Sequence, residues 1–144
     1  MGVQIAPTPF RDYMEDCIFC KIVNGEIPAY KVYEDENFFA FLDINPRNPG
    51  HTLIIPKKHF RWVWDVNASG YFEAVRNVAI ALKKAMNTEY VVSGIAGKEV
   101  PHAHIHLIPR MEGDGHGEFL DQNKFVKLSK EEMEKIAAKI ESSF

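Results

Sequence analysis

Cysteine is scarce in this chain, with two among 144 residues. That is too few for a stapled secreted scaffold, so a disulfide framework is excluded as the source of the fold. Long apolar runs are also missing. The longest, around Phe38–Leu42 and Leu53–Pro56, fall far short of the roughly 20 residues that span a bilayer. Met1 to Tyr13 carries Gln4, Pro7, Pro9, Arg11 and Asp12 and lacks the apolar stretch of a signal peptide. An excess of positive charge is absent as well. Seventeen basic against twenty acidic residues leave a formal charge of -3. No net field for gripping a nucleic-acid backbone exists, so neither nucleic acid nor membrane is expected as a partner. The expected compartment is the cytoplasm, where a close cysteine pair more often serves metal or redox chemistry than a disulfide. What is present is ordinary for one globular domain: 46% hydrophobic and 26% charged residues. A chain of this size buries roughly two thirds of its unfolded surface. The expected organisation is a flexible arm over residues 1–13 and a single domain over 14–144.

Local patterns predict the elements. Asp16 can cap a short helix running to Val23, with Asn24-Gly25 ending it. Tyr30 to Glu34 and Phe38 to Leu42 are β-rich, and Asp35-Glu36-Asn37 between them is turn chemistry, so the three read as a hairpin. Asn45 to Gly50 is a turn cluster, and His51 to Ile55 is a third strand stopped by Pro56. Asn67 to Met86 places Phe72, Val75, Ala79, Leu82 and Met86 on one helical stripe. Glu89 to Ser93 and Ala103 to Ile108 complete five strands. Gly113 to Gly117 is a loop whose His116 is expected to be solvated. Ser129 and Glu132 form a capping box opening a last helix, with Met133, Ile136, Ala137 and Ile140 on one face. Hairpin-like strand order with one long helix inserted late indicates an α+β fold with an antiparallel sheet.

Three of the six histidines fall within five residues: His102-Ala103-His104-Ile105-His106. On a strand, alternate side chains share a face, so Ala103, Ile105 and Leu107 enter a core while three imidazoles line the other side. Several readings are open. A flat strand holds its outer two imidazoles roughly 13 Å apart, so at most two neighbours can share an ion. Nucleophilic catalysis is the second reading. Adjacent imidazoles disfavour one another's cation, which leaves at least one neutral at pH 7, and another can serve the leaving group. The third is a polar face on which histidines are merely tolerated.

The pattern His102-Ala-His104-Ile-His106-Leu-Ile resembles the signature of the histidine triad (HIT) superfamily of nucleotide hydrolases and transferases. The likeness extends along the chain. Cys17-Ile-Phe-Cys-Lys-Ile-Val-Asn-Gly-Glu-Ile-Pro-Ala looks like the family's opening. Phe41-Leu-Asp-Ile-Asn-Pro and Pro49-Gly-His-Thr-Leu-Ile-Ile-Pro-Lys-Lys-His59 look like its central block. The trailing Pro109-Arg110 and the C-terminal helix are more similar to the prokaryotic-type and fragile-histidine-triad members. The resemblance implies a five-stranded antiparallel sheet with a long helix and a C-terminal helix. Two copies would pair as a homodimer with a ten-stranded sheet. It implies a purine nucleotide ligand and a covalent nucleotidyl intermediate on His104. His106 would contact the phosphate or leaving group, and His51 would support the phosphate site. Asp43 would accept hydrogen bonds from the ribose hydroxyls, and Phe19, Ile22, Phe41 and Ile44 would form the base slot. Two departures stand out. Ser93 occupies the region where the family usually has a phosphate-side asparagine. Gly97-Lys98-Glu99-Val100 replaces the usual Gly-Gln-x-Val, placing Lys98 and Glu99 beside the nucleotide site.

Cys17-x-x-Cys20 is half a zinc site and needs two further ligands, which His59 and His102 could supply. Some family members and the related galactose-phosphate uridylyltransferases build a structural zinc from such a set. A redox dithiol and a pair of idle buried thiols are the competing readings.

Overall fold

The computed structural model describes residues 10–11 and 13–144. The arm expected over 1–13 lies outside these residues except at Phe10–Arg11 and Tyr13. Phe10–Arg11 (β1) pairs antiparallel with a second short strand, His59–Phe60 (β5). Ile18–Val23 is α1, Lys31–Glu34 is β2, Phe38–Leu42 is β3 and Thr52–Pro56 is β4. After a 3-10 turn at Val63–Asp65 come α2 (Tyr71–Ala85), β6 (Val91–Gly94), β7 (Ile105–Pro109) and α3 (Lys130–Glu141). The expected α+β architecture is observed: a five-stranded antiparallel sheet in the order β2-β3-β4-β7-β6.

The sheet is covered on both sides, which explains why every residue of β3 is buried. Strand periodicity divides them. Phe38, Ala40 and Leu42 enter the main core with Val78, Leu82 and Ile140 of the helices. Phe39 and Phe41 enter a second cluster with Cys17, Phe19, Cys20, Leu53 and Ile55. The β2–β3 hairpin turns on Asp35, whose Oδ1 accepts from the Asn37 and Phe38 amides at 2.8 Å each.

Several boundaries move from their expected places for local reasons. The first helix is capped by Cys17, not Asp16, and the Cys17 Sγ accepts from the Cys20 amide at 3.4 Å. The long helix begins at Tyr71, because Gly70 takes a left-handed φ of +91° that stops the helix from extending back to Asn67. Its buried face therefore starts at Tyr71, which stacks on Phe38 and donates to the Ile54 carbonyl at 2.7 Å. Phe72 is 63% exposed rather than part of the core stripe. The third strand starts at Thr52, leaving His51 in the preceding turn. The fourth spans Val91–Gly94 rather than Glu89–Ser93. The triad strand starts at Ile105, so His102 and His104 lie on the approach to β7 and only His106 is within it. The last helix follows expectation: the Ser129–Glu132 capping box is formed, with Met133, Ala137 and Ile140 buried.

Candidate functional site

The second cluster ends in a knot of four donors. The N-terminus of α1 supplies Cys17 and, three residues on, Cys20. The short β5 supplies His59, and the approach to β7 supplies His102. All four are buried, and their ligand atoms lie within 4.8 Å of one another. His102 Nδ1 is 3.4 Å from Cys17 Sγ, 3.5 Å from Cys20 Sγ and 3.2 Å from His59 Nδ1. Cys20 Sγ is 3.3 Å from His59 Nδ1. A tetrahedral zinc with ordinary bond lengths separates sulfur from nitrogen by roughly 3.6 Å and nitrogen from nitrogen by roughly 3.3 Å. The four edges quoted lie within about 0.3 Å of those values. His102 Nε2 lies 2.9 Å from the Pro56 carbonyl, so it carries the hydrogen and Nδ1 keeps its lone pair toward the cysteines. Burial, with His59 and His104 nearby, pulls the His102 pKa down to about 4 and keeps the ring neutral, as a ligand must be. Burial pushes the Cys20 thiol up to about 12.

His104 and His106 follow on the same side of the sheet. Leu53 of the second cluster pairs directly with His106 across β4 and β7. The His104 ring is edge-on to Phe19 at 5.3 Å and to His106 at 5.1 Å. Its Nδ1 lies 2.7 Å from the His102 carbonyl, so it donates and the Nε2 lone pair is left for the substrate side. Burial lowers the His104 pKa, against the raising effect of that carbonyl and of Asp43. His51 Nδ1 accepts from the Arg47 amide at 3.1 Å, which places its hydrogen on Nε2. That nitrogen donates to His106 Nδ1 at 2.9 Å, and His106 in turn carries its hydrogen on Nε2. Burial takes His51 down to about 2 and His106 to about 4, so both are neutral near pH 7. The two adjacent triad rings thus present opposite faces of imidazole chemistry: a bare nitrogen on His104 and an N–H on His106.

Asp43 closes the far side. One carboxylate oxygen accepts from the Asn45 amide at 2.8 Å, and the other is 3.6 Å from His51 Nε2 and 3.8 Å from the Arg47 guanidinium. Burial raises its pKa, with the Asn45 amide and Arg47 pulling the other way. Asp43, His51 and His106 also satisfy the spacing of a metal group. A cation there would need the His51 Nε2 pair, but the Arg47 amide already takes the Nδ1 pair and sends the hydrogen to Nε2.

The other sequence candidates divide. Phe19 and Phe41 are buried edge-on at 5.4 Å and form a wall beside His104. Ile22 packs half-buried against the same cluster. Ile44 is 75% exposed and forms an open rim rather than an enclosed slot. Lys98 and Glu99 are both exposed. Glu99 acts electrostatically on both His104 and Asp43. Ser93 is not brought to the histidines. It pairs with Leu107 and so shares the helix-side face, whereas Gly94 is the residue opposite His106. Two arginines near the site carried no sequence signal. Arg47 lies in the turn before His51. Arg61 stacks on Trp62 at 3.7 Å and donates to the Gly97 carbonyl at 2.8 Å. Gly97 has φ +76°, and a Cβ there would stand 3.1 Å from the Trp62 ring, so the loop's close approach needs glycine.

A five-stranded antiparallel sheet with three interleaved histidines running into and along β7 and a fourth from the turn before β4 defines the class of fold to which this chain belongs. The HIT domain family model matches residues 24–113. The chain is 52% identical over 106 residues to a HIT-like protein of Methanocaldococcus jannaschii, covering 69% of this chain and 82% of that one. It is 40% identical over 138 residues to an adenosine 5'-monophosphoramidase of Saccharomyces cerevisiae, covering 88% and 84%. Among solved structures, a zinc-bound histidine triad family protein from Mycobacterium smegmatis superposes with a TM-score of 0.73 at 30% identity, covering 89% and 92%. The chain belongs to the HIT family, in its Hint-like group.

Proposed function

We propose that the protein hydrolyses a purine nucleotide at its α-phosphate through a nucleotidyl-His104 intermediate. The observation that carries this is the pair of oriented rings: His104 Nε2 bare, with Nδ1 tied to the His102 carbonyl at 2.7 Å, beside a His106 whose hydrogen is on Nε2. The relative in Saccharomyces cerevisiae named as a phosphoramidase supports the same reading. In the first step the His104 Nε2 pair attacks phosphorus and the bond to the leaving group breaks. The leaving group departs with its electron pair, hydrogen-bonded by His106 Nε2–H and protonated from solvent. In the second step water attacks phosphorus, the P–N bond breaks, its pair returns to Nε2 and the water proton passes to solvent. A nucleoside monophosphate is released. Neutral neighbouring rings favour this chemistry, because a protonated His104 has no pair to offer.

Asp43 takes the ribose diol, Phe19, Phe41 and Ile22 take one face of the base, and Ile44 closes over it from the rim. Lys98 and Glu99 stand at the leaving-group side. Substrates that fit are nucleoside phosphoramidates, acyl-adenylates and dinucleoside polyphosphates, and nucleotidyl transfer to another acceptor would use the same first step. Cys17, Cys20, His59 and His102 hold a structural zinc, on the strength of donor chemistry and matching edges. Its chemistry is that of a crosslink, joining α1, β5 and the approach to β7, and it takes no part in either step.

Incubation with adenosine 5'-phosphoramidate, read by chromatography of the products and by intact-protein mass, tests the mechanism. AMP release is expected from the parent. His104→Ala is expected to abolish it, and slowed hydrolysis should trap a protein heavier by one adenylyl group. Unchanged turnover in His104→Ala would reject the mechanism.

A further inference from the structure

His116 lies in the loop where the sequence leaves it solvated, yet it is half-buried with both ring nitrogens engaged. The Asp121 amide donates to Nδ1 at 3.1 Å. The hydrogen therefore sits on Nε2, which donates to the Arg47 carbonyl at 2.9 Å. Val126 donates to the Pro46 carbonyl at 2.8 Å. The Pro46 carbonyl belongs to the same peptide unit as the Arg47 N–H, and the Arg47 carbonyl belongs to the next one. The segment after β7 therefore grips the carbonyls on both sides of the one amide that reaches His51 Nδ1.

That segment is itself held firmly. Arg110 donates to both Asp114 oxygens, at 2.8 and 3.1 Å, and to the carbonyls of His116, Gly117 and Phe119 at 3.2, 2.9 and 2.7 Å. Asn48 of the gripped turn also donates to Asp114, at 2.9 Å.

We propose that His116 is a positioning residue of the site: with the Val126 amide it clamps the Arg47 peptide, and so fixes the tautomers of His51 and His106. The polarity of the chain of bonds supports this. A backbone N–H can only donate, so the Asp121 and Arg47 amides each set a direction that cannot reverse. The run goes from Asp121 N–H to His116, to the Arg47 carbonyl on one side. On the other it goes from Arg47 N–H through His51 to His106, ending in an N–H on the substrate side. If the clamp loosens, the Arg47 amide leaves His51 Nδ1 and the His51 ring is free to carry its hydrogen on either nitrogen. His106 then loses its fixed N–H. His116 touches no reacting atom, and its effect on rate rests on the hydrolase reading above.

The test combines long-range 1H–15N spectra of the imidazoles with steady-state kinetics on adenosine 5'-phosphoramidate. In the parent, His51 and His106 are expected in the Nε2–H form. His116→Ala should give mixed tautomers for both, with kcat lowered roughly tenfold and KM within about twofold. His116→Gln keeps a donor and an acceptor on one planar group and should restore the parent spectrum and most of kcat. Tyr90→Phe removes a separate tether of the same segment, the 2.8 Å bond to the Glu118 carbonyl, and should change neither readout. Unaltered His51 and His106 tautomers in His116→Ala would overturn the proposal, as would an equal loss in Tyr90→Phe. The spectra need no substrate. A parent that shows these tautomers, scrambled by His116→Ala, but releases no AMP would refute the hydrolase reading and leave the clamp standing.

Discussion

Hydrogen placement on single imidazoles decides what this site can do, and each is dictated by a neighbour that can only donate or only accept. A carbonyl holds His104 Nδ1–H, and an amide holds the His51 Nδ1 pair. Asp43 is the residue whose charge has the most to lose. Its carboxylate is buried beside His51 and within 3.8 Å of Arg47, with one oxygen already spent on the Asn45 amide. If it holds the ribose hydroxyls, Asp43→Asn removes a charge-assisted acceptor and should raise KM by roughly ten- to hundredfold with a smaller change in kcat. A 2',3'-dideoxy substrate should show the same penalty in the parent and no further penalty in the variant; additive losses would refute the assignment. The triad was legible because its spacing lies within one short run, whereas Asp43 and His51 were singled out by the resemblance to the family alone. The partners of His116 were not legible, since its acceptor Arg47 lies 69 residues away and no pattern links the two. Ser93 misled for a related reason: residue type was visible, but the pairing that turns it to the helix side was not.

At the scale of elements, α1 shows how much can hang on six residues. It buries only Phe19 and Cys20, too little apolar surface to hold a helix this short by packing alone. On the zinc reading proposed above, the cysteine pair would add a crosslink to His59 and His102, beside the packing of Phe19, Ile22 and Val23. The sequence indicated this grouping, because C-x-x-C is half a zinc site that needs two further ligands and the resembling family takes them from positions matching His59 and His102. It misjudged the cap, since a thiol does here what Asp16 was expected to do. Protein purified without a tag should contain close to one equivalent of zinc, and less than a tenth would sink the site. Cys20→Ser should lose the metal and lower the thermal midpoint by about 5–10 °C, equivalent to roughly 2–3 kcal/mol for a chain of this size. Because His102 also offers its carbonyl to His104, the variant should show a disturbed His104 ring signal even before substrate is added.

The whole molecule is a sheet with both faces covered and two edges, β2 and β6, left without a partner strand among the described residues. The homodimer with a ten-stranded sheet implied by the resemblance would pair one of these edges with its copy, and sedimentation should then give a mass near twice 16.5 kDa; a monomer at micromolar concentration would refute it.

Burying so many imidazoles on one face also makes folding sensitive to pH. His51 and His106 fall from the ordinary 6.5 to about 2 and about 4, chiefly through burial. Above about pH 7.5 both are neutral whether folded or not, so they add nothing to the pH slope. Below 6.5 the unfolded chain binds protons that the folded chain refuses, and stability falls as pH falls. The loss continues to about pH 4 for His106 and further for His51, at up to about 1.4 kcal/mol per pH unit for each ring. The carboxylates held low, such as Asp114 beside Arg110, act only below their own unfolded range, and Asp43, raised by burial, works in the opposite sense, so the fall from 6.5 to 4.5 is the histidine loss less what Asp43 returns. Urea unfolding at pH 8.5, 7.5, 6.5, 5.5 and 4.5, with metal content checked at each, should give a flat midpoint down to 7.5, a fall that has begun by 6.5 and a steady decline beneath it. A midpoint unchanged at 4.5 would show that these rings accept protons in the folded state, and the neutral site on which the chemistry depends would fall with it.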